Sequence, residues 1–213
     1  RRAFLSLDKM IKEATGVVLA GGQSKRFGSN KVLAPWNGKT LVESVADILA
    51  GIFASNLVLV KNPEAFQFLS KPNIRVVADA LPEHHSLGGI GSALSCADTE
   101  RVFVCACDMP FLRPSLVKAL WEVSPGYDAV IPLWDGMPQP LCGIYSKNCQ
   151  PAIARLIKDQ RFKIQELLSL IRTRFYLEEE VKALDPRGRS FVDLDTRQQY
   201  DQWPNGGIPG AVR

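Results

Sequence analysis

Compact apolar runs alternate with amphipathic stretches along most of the chain, and this alternation predicts the order of its elements. Buried strands are predicted where apolar residues cluster directly, at 17–20, 57–60, 74–77, 102–107, 129–131 and 141–145. Helices are predicted in the intervening and following stretches, at 40–53, 63–70, 88–98, 114–123, 150–158, 163–171 and 196–203. Short extended pieces are predicted at 174–177 and 190–194, and the polar stretch 134–139 is predicted to be a connection between strands.

Strand and helix alternate at least three times, which is typical of an α/β fold. We expect a single-domain three-layer α/β/α architecture, Rossmann-like, with a mostly parallel sheet between two layers of helices. No internal repeat, low-complexity tract or long linker divides the chain. The domain is expected to span residues 10–203, with Met10 a candidate start, and residues 1–9 and 204–213 are expected to be flexible or non-native ends.

Composition narrows the classes of partner. The 213 residues carry a formal net charge of +4, which suits a small anionic ligand; no dense Lys/Arg run points to nucleic acid. No apolar segment approaches the roughly 20 residues that a membrane-spanning helix needs, so no membrane contact is expected. The five cysteines form no C-x-x-C pair, which favours free thiols and a cytoplasmic setting.

A glycine-rich basic loop follows the first predicted strand, in the stretch Gly16–Lys31. It does not match the Walker A pattern, because Gly28 is followed by Ser29 and not by Lys, and its glycine spacing does not match G-x-G-x-x-G. What remains is L-A-G-G-x-S-x-R-F-G-x-x-K. Glycines that allow close backbone approach, together with nearby cations, suit a polyphosphate; a flexible basic turn is the simpler alternative.

Three polar side chains come directly after predicted strands: Asn62, Asp79 and Asp108. In parallel sheets ligands gather at the carboxyl ends of strands, so these groups and the glycine loop are expected on one edge. A carboxylate at Asp108 suits Mg²⁺ bridged to phosphate oxygens, although a helix N-cap or turn role is an alternative. The carboxylate of Asp79 can accept two hydrogen bonds from a ligand, with a strand-end turn as the alternative, and Asn62 before Pro63 is a common turn former.

The glycine-loop motif together with C-D-M-P-F-L at 107–112 resembles the molybdenum cofactor guanylyltransferases, a family of molybdopterin nucleotidyltransferases. The similarity extends over most of residues 16–203. It includes L-G-G-I-G-S-A-L at 87–94, P-Q-P-L-C-G-I-Y at 138–145 and F-V-D-L-D-T at 191–196, the last on the pterin side. The resemblance implies a nucleotidyltransferase-type fold that moves GMP from GTP to the phosphate of molybdopterin, with release of pyrophosphate and with Mg²⁺ as cofactor.

The same resemblance implies roles for individual residues. Asp108 matches the metal-binding position, and it is grouped as catalytic with Lys31 and Arg26. The positions that match nucleotide contacts are Leu19, Ala20, Gly21, Gly22, Lys31, Asn62, Asp79 and Gly89. The partners implied are small-molecule substrates, with a molybdoenzyme or another cofactor-biosynthesis protein as a candidate recipient of the product.

Three other functions stay open at this point. The D-x-D-T run at 193–196 resembles the related cytidylyltransferases, which would use CTP, whereas those enzymes usually carry Ala-Ala-Gly where this chain has Ala-Gly-Gly. An extra methyl at Gly21 would crowd a purine, so we hypothesise that glycine there favours guanine. A sugar-1-phosphate nucleotidyltransferase and a non-catalytic adaptor that hands over the cofactor are the remaining alternatives.

Overall fold

The computed structural model describes residues 10–21, 31–81, 86–194, 197–201 and 203. The strands in this part of the chain are β1 (Ile11–Leu19), β2 (Pro35–Trp36), β3 (Lys39–Thr40), β4 (Phe53–Val60), β5 (Ile74–Ala78), β6 (Arg101–Ala106), β7 (Ala129–Trp134), β8 (Met137–Pro138), β9 (Cys142–Ser146) and β10 (Thr173–Tyr176). The helices are α1 (Leu41–Ala50), α2 (Ser86–Cys96), α3 (Pro114–Glu122), α4 (Gln150–Lys158), α5 (Ile164–Leu170), α6 (Glu178–Lys182) and α7 (Arg197–Asp201). Short 3₁₀ helices lie at Lys31–Leu33, Pro63–Leu69, Lys147–Cys149 and Arg189–Phe191.

The main sheet has the order β10-β7-β9-β6-β1-β4-β5, with β8 paired to β7. Strand β1 runs parallel to both β4 and β6, β4 runs parallel to β5, and β7 runs parallel to β10. Strand β9 is reversed, because it pairs antiparallel with both β6 and β7. The predicted mostly parallel sheet in a single α/β domain is therefore confirmed.

Two layers of helices cover the sheet, as the three-layer prediction requires. Helices α1, α3 and α6 bury apolar residues in one cluster against one face, and α2, α4 and α5 bury theirs in a second cluster against the other. Successive strand residues point to opposite faces, so Val17 packs in one cluster and Val18 in the other. None of the helices among the described residues is long and apolar enough to cross a bilayer.

Local sequence signals account for two of these elements. Helix α1 begins at a capping box, in which the Glu43 backbone N–H donates to Thr40 Oγ1 at 3.3 Å and the Thr40 N–H donates to Glu43 Oε2 at 2.8 Å. The connection at 134–139 is a hairpin between β7 and β8, since Asp135 and Gly136 both have positive φ, as a tight two-residue hairpin turn requires. The Asp-Gly pair is a hairpin signal that the prediction of a plain connection missed.

Several predicted bounds are wrong, for identifiable reasons. Strand β1 begins at Ile11, six residues before the predicted start, because its early residues pair with β4 and β6 although Lys12 and Glu13 are exposed. The helix predicted at 63–70 is a 3₁₀ helix. The extended piece predicted at 190–194 instead begins with the 3₁₀ turn Arg189–Phe191, because its backbone bonds to a carboxylate and a loop carbonyl and not to a strand.

Candidate active site

The carboxyl ends of four neighbouring strands, β6, β1, β4 and β5, form one edge of the sheet. Backbone hydrogen bonds continue across this edge beyond the strands themselves. The Cys107 N–H donates to the Leu19 carbonyl at 3.1 Å, the Ala20 N–H donates to the Leu59 carbonyl at 2.8 Å, and the Asp79 N–H donates to the Val60 carbonyl at 2.8 Å. The sheet therefore fixes the start of each loop that carries a predicted site residue.

Lys31 and Asp108 meet at this edge. Lys31 Nζ lies 2.5 Å from Asp108 Oδ2, and the two side chains are only 10% and 13% exposed. Asp108 Oδ1 is buried and has no hydrogen-bond partner within the part of the chain that the structure describes. A carboxylate oxygen left without a partner at a strand end has the chemistry of a hard-cation ligand, so Asp108 fits the Mg²⁺ that the family resemblance implies.

The helix N-cap alternative for Asp108 is wrong. Helix α3 begins at Pro114, and Arg113 occupies its N-cap position. Asp108 lies in a turn five residues earlier, and its carboxylate bonds to Lys31. Among the described residues no group of three or more His, Cys, Asp or Glu side chains gathers at one point, and Mg²⁺ at a phosphate site usually takes only one or two carboxylates.

Asp79 forms the predicted strand-end turn, and its guanine-binding role stays a prediction. Its Oδ1 accepts a hydrogen bond from Ser92 Oγ at 2.6 Å and one from the Leu81 backbone N–H at 3.2 Å, which is a strand-end turn. Its Oδ2 lies 3.5 Å from the point that a Cβ on Gly21 would occupy. The sequence analysis did not identify Ser92. A polar residue on the buried face of α2, where Ser92 is only 2% exposed, was the signal that could have indicated this hydrogen bond.

Two further residues predicted to contact the nucleotide, Gly89 and Asn62, lie in different surroundings. Gly89 in α2 packs against the last residue of β1, where an added Cβ would stand 3.0 Å from Leu19 Cδ1. The glycine therefore lets α2 approach the strand end closely. Asn62 is exposed at the N-cap position of the 3₁₀ helix Pro63–Leu69, and its side chain makes no capping hydrogen bond.

Part of the predicted phosphate loop lies outside the described residues. Gly22 and Arg26 fall in the stretch 22–30, so their roles stay predictions. Gly21 and Lys31 stand at the two ends of that stretch. The second Asp of the D-x-D-T run, Asp195, also lies outside.

The segment at 191–196, predicted to lie on the pterin side, contacts the loop that carries Asp108. The Leu194 N–H donates to the Asp108 carbonyl at 3.1 Å, and the Leu194 side chain is fully buried. It packs with Trp36 and Leu41 in a third apolar cluster, to which Val192 and Phe111 add partly buried surface. The C-terminal segment is therefore part of the edge that carries Asp108, although more than 80 residues separate them in sequence.

Asp79 and Asp108 are far enough apart along the sheet edge to contact the two ends of an extended ligand. Asp79 follows β5 and Asp108 follows β6, three strand positions apart in the order β6-β1-β4-β5. At about 4.8 Å per strand this is roughly 14 Å along the edge. A molecule that places a hydrogen-bonding base near Asp79 and a phosphate near Lys31 and Asp108 would lie along the ends of β1 and β4.

Two buried cysteines near this edge, Cys105 and Cys142, are not activated nucleophiles, because burial raises the pKa of both thiols well above the ordinary value. At the opposite edge, where Cys149 Sγ donates to the Asp128 carbonyl, burial raises the pKa of Cys149 to about 12. None of the five cysteines forms a disulfide. The charged side chains at this edge are Lys31, Asp108 and Asp79, and their functional roles stay predictions.

Comparison with known proteins points to nucleotidyl transfer. The family described as "MobA-like NTP transferase domain" matches residues 16–176. The "Probable molybdenum cofactor guanylyltransferase" of Pelotomaculum thermopropionicum is 34% identical over 184 residues, 86% of this chain and 88% of that protein. The "Molybdenum cofactor guanylyltransferase" of Desulfosudis oleivorans is 30% identical over 88% of this chain and 93% of its own length. The structure of molybdopterin-guanine dinucleotide biosynthesis protein A from Archaeoglobus fulgidus superposes with a TM-score of 0.76 at 26% identity, covering 88% of this chain and 95% of that one.

Proposed function

This chain belongs to the family of MobA-like NTP transferase domains, and from that premise we propose that it is a molybdenum cofactor guanylyltransferase. It transfers GMP from GTP to the terminal phosphate of molybdopterin. A phosphate oxygen of the acceptor forms a bond to the α-phosphorus of GTP, the bond from that phosphorus to the β-phosphate oxygen breaks, and pyrophosphate leaves. The product is the guanine dinucleotide form of the cofactor.

The observation that carries this proposal is the buried Lys31–Asp108 pair, in which Asp108 Oδ1 has no hydrogen-bond partner among the described residues. A ligand site at the carboxyl end of β6, beside β1, is where a triphosphate held by the glycine loop would extend. Asp108 would hold Mg²⁺, which when bound would neutralise charge on the phosphate oxygens. A pure binding adaptor has less need of such a carboxylate.

Each remaining group has a role in binding or orientation. Lys31 and Arg26 offset the negative charge of the triphosphate, and the backbone amides of Gly21 and Gly22 donate to it. Asp79 accepts hydrogen bonds from the guanine edge through Oδ2, while Ser92 and the turn hold its Oδ1. No general base is required, since the attacking phosphate is already ionised, so the rate depends on positioning and charge stabilisation.

The test is a panel of nucleotides. The purified protein is incubated with Mg²⁺, molybdopterin and each of GTP, CTP, ATP and UTP, and both pyrophosphate and the dinucleotide product are measured. We expect turnover with GTP. Turnover with CTP and not GTP would establish a cytidylyltransferase instead. Pyrophosphate release with a sugar phosphate in place of the pterin would establish the sugar-nucleotide alternative, and binding without any turnover would establish an adaptor.

The setting of the reaction is a second part of the proposal. We propose that the protein acts in the cytoplasm, because none of its five cysteines forms a disulfide, and that the product passes to a molybdoenzyme or to another cofactor-biosynthesis protein. Cell fractionation and co-purification of the tagged protein test these two points separately. Recovery from an oxidising compartment would contradict the first.

A further inference from the structure

The loop at 108–113 joins β6 to α3 and carries the proposed metal ligand. Two hydrogen bonds hold its ends, and both go to one remote segment, residues 185–194. At the start of the loop the Leu194 N–H donates to the Asp108 carbonyl at 3.1 Å. At its end the Arg113 N–H donates to Ser190 Oγ at 3.1 Å. The position of the Asp108 carboxylate therefore depends on how firmly the 185–194 segment is itself held.

A fully buried carboxylate organises that segment. Asp185 is 0% exposed, and its Oδ2 accepts a hydrogen bond from the Ser190 N–H at 2.7 Å. Its Oδ1 lies 3.1 Å from Nε of Arg113, whose side chain is 43% exposed. A buried charge is costly unless it is paired, and here the partner belongs to the last residue of the loop. Asp185 thus acts on Arg113 directly and, through Ser190, on the Arg113 backbone.

The segment is anchored to the sheet independently of the loop. Gly188 has a φ of +58°, and an added Cβ would stand 2.0 Å from the ring of Trp134, at the end of β7. The same ring lies 5.7 Å from the ring of Phe191, measured between centroids. Only glycine allows the chain to turn this tightly beneath Trp134, and the turn delivers Ser190 to Asp185.

We propose that Asp185 is a positioning residue for the transferase reaction: it holds the 108–113 loop so that the Asp108 carboxylate stays beside Lys31. The inference rests on the proposed role of Asp108 as metal ligand. Asp185 touches neither substrate nor metal. Partners that orient a metal ligand in this way typically alter metal affinity or activity about 10- to 100-fold when they are changed.

The test compares Asp185→Asn with a matched change at the other edge of the sheet. Asp128→Asn also alters a largely buried carboxylate that accepts a backbone N–H and faces an exposed arginine, Arg172. Arg113→Gln is the second variant, because it removes the ion pair from its exposed side and leaves Asp185 in place. If both variants act through one contact, the double variant should be no worse than the single ones.

Two measurements are made on the full chain without turnover. Hydrogen–deuterium exchange reports the amides of 108–113, and Mn²⁺ titration followed by electron paramagnetic resonance reports the affinity of the metal site. We expect Asp185→Asn and Arg113→Gln to speed exchange in this loop and to weaken Mn²⁺ binding about 10-fold. Under turnover, kcat should fall by a similar factor while KM for GTP changes less than about twofold.

The outcomes separate the two proposals. A variant that is less stable but keeps wild-type loop exchange, Mn²⁺ affinity and kcat would overturn the positioning role and leave Asp185 a structural residue. Loss of Mn²⁺ affinity in Asp128→Asn to the same degree would overturn it as well. If Mn²⁺ affinity is indifferent to Asp108→Asn, the metal assignment fails, and the exchange of 108–113 still decides whether Asp185 holds the loop.

Discussion

The two edges of the main sheet use aspartate in opposite ways. At the amino-terminal edge, just before β7, Asp128 Oδ1 accepts from the Asn148 side-chain amide at 3.1 Å and Oδ2 accepts from the Arg172 N–H at 3.0 Å. At the carboxyl edge, Asp108 bonds to Lys31 through Oδ2, and its Oδ1 has no partner in the described stretches of chain. Both oxygens of Asp128 thus have hydrogen-bond partners, whereas among the described residues only one oxygen of Asp108 has one.

The difference marks Asp108 as the carboxylate whose buried oxygen the proposed Mg²⁺ would satisfy. A buried polar atom without a partner costs about 1–3 kcal/mol. Such atoms in native proteins call for an explanation such as a ligand or an ion. The satisfied carboxylate joins strands, because its two oxygens tie β7 to the chain entering β10 and to the end of β9. The unsatisfied one belongs to the edge where the glycine loop ends.

The largest expected effect comes from Asp108→Asn, which replaces the charged carboxylate with a neutral amide. We expect pyrophosphate release at saturating Mg²⁺ to fall about 10²-fold or more, comparable to losing one donor of an oxyanion hole. Steady-state kinetics with GTP and molybdopterin measures the effect. Unchanged pyrophosphate release would remove Asp108 from the proposed metal site.

The control for this variant is Asp98→Asn, which changes a carboxylate that is 83% exposed and pairs with Arg75 outside the proposed site. Its activity should equal that of the wild type. Because Asp108→Asn also leaves Lys31 without its ionic partner, circular dichroism and thermal unfolding are recorded for both variants. A loss of activity in a fully folded Asp108→Asn protein then belongs to the site and not to the fold.

A smaller effect is expected for Gly21→Ala, at the other end of the proposed nucleotide site. The added methyl would stand 3.5 Å from Asp79 Oδ2, an ordinary contact, so the protein should fold. The methyl would cover the carboxylate oxygen proposed to accept from guanine. We expect kcat/KM for GTP to fall about 10-fold and the value for CTP to fall less, since one methyl in a binding site is worth about 1–3 kcal/mol.

The matched control is Gly51→Ala, where the new Cβ would meet backbone oxygens of α1 at similar distances, with 3.5 Å to the Ile48 carbonyl. That variant should keep the wild-type ratio of GTP to CTP turnover. Equal losses for both nucleotides in Gly21→Ala would contradict the role of this glycine in selecting the base. The hypothesis from the sequence was that a methyl at Gly21 would crowd the purine. The distance to Asp79 Oδ2 changes this hypothesis: the methyl is now expected to shield the Asp79 carboxylate from the base.

The smallest effect is expected for Asp128→Asn, at the amino-terminal edge of the sheet. Burial opposes ionisation of Asp128, but the hydrogen bonds from the Arg172 N–H and Asn148 outweigh it, so the pKa of Asp128 lies below the ordinary value. A depressed pKa in the folded protein stabilises it above the pKa of the unfolded chain, and this stabilisation is lost as pH falls through the folded value. Asp128→Asn should lower the free energy of unfolding by about 1 kcal/mol at pH 7, with activity unchanged.

Denaturant unfolding at several pH values checks this prediction. The gap in stability between wild type and Asp128→Asn should be constant from pH 7 down to about pH 5 and should narrow below the pH at which an unperturbed aspartate titrates, about 3.9. A gap that widens as pH falls would have the wrong sign. A marked loss of activity in Asp128→Asn would remove the contrast between the two edges.

Much of the fold was predictable because its signals are local. The apolar runs at 57–60 and 102–107 bury residues on both faces of a sheet, and such runs are recognisable without knowing the neighbours. The early part of β1 was missed for the opposite reason: Lys12 and Glu13 are exposed, and the strand persists there only because β4 and β6 offer backbone partners. The reversal of β9 is also set by its neighbours and not by its own composition.

By itself the sequence determined the family, the order of the longer strands and of most of the helices, and the residue types at the strand ends, since these depend on spacing along the chain. Only the tertiary structure decided that Lys31 pairs with Asp108, that Ser92 holds one oxygen of Asp79, and that Asp185 reaches Arg113. These contacts join residues 13 to 77 positions apart, and no local pattern encodes them. Their physical cause is the sheet, whose neighbouring strands bring loops together that the chain leaves far apart.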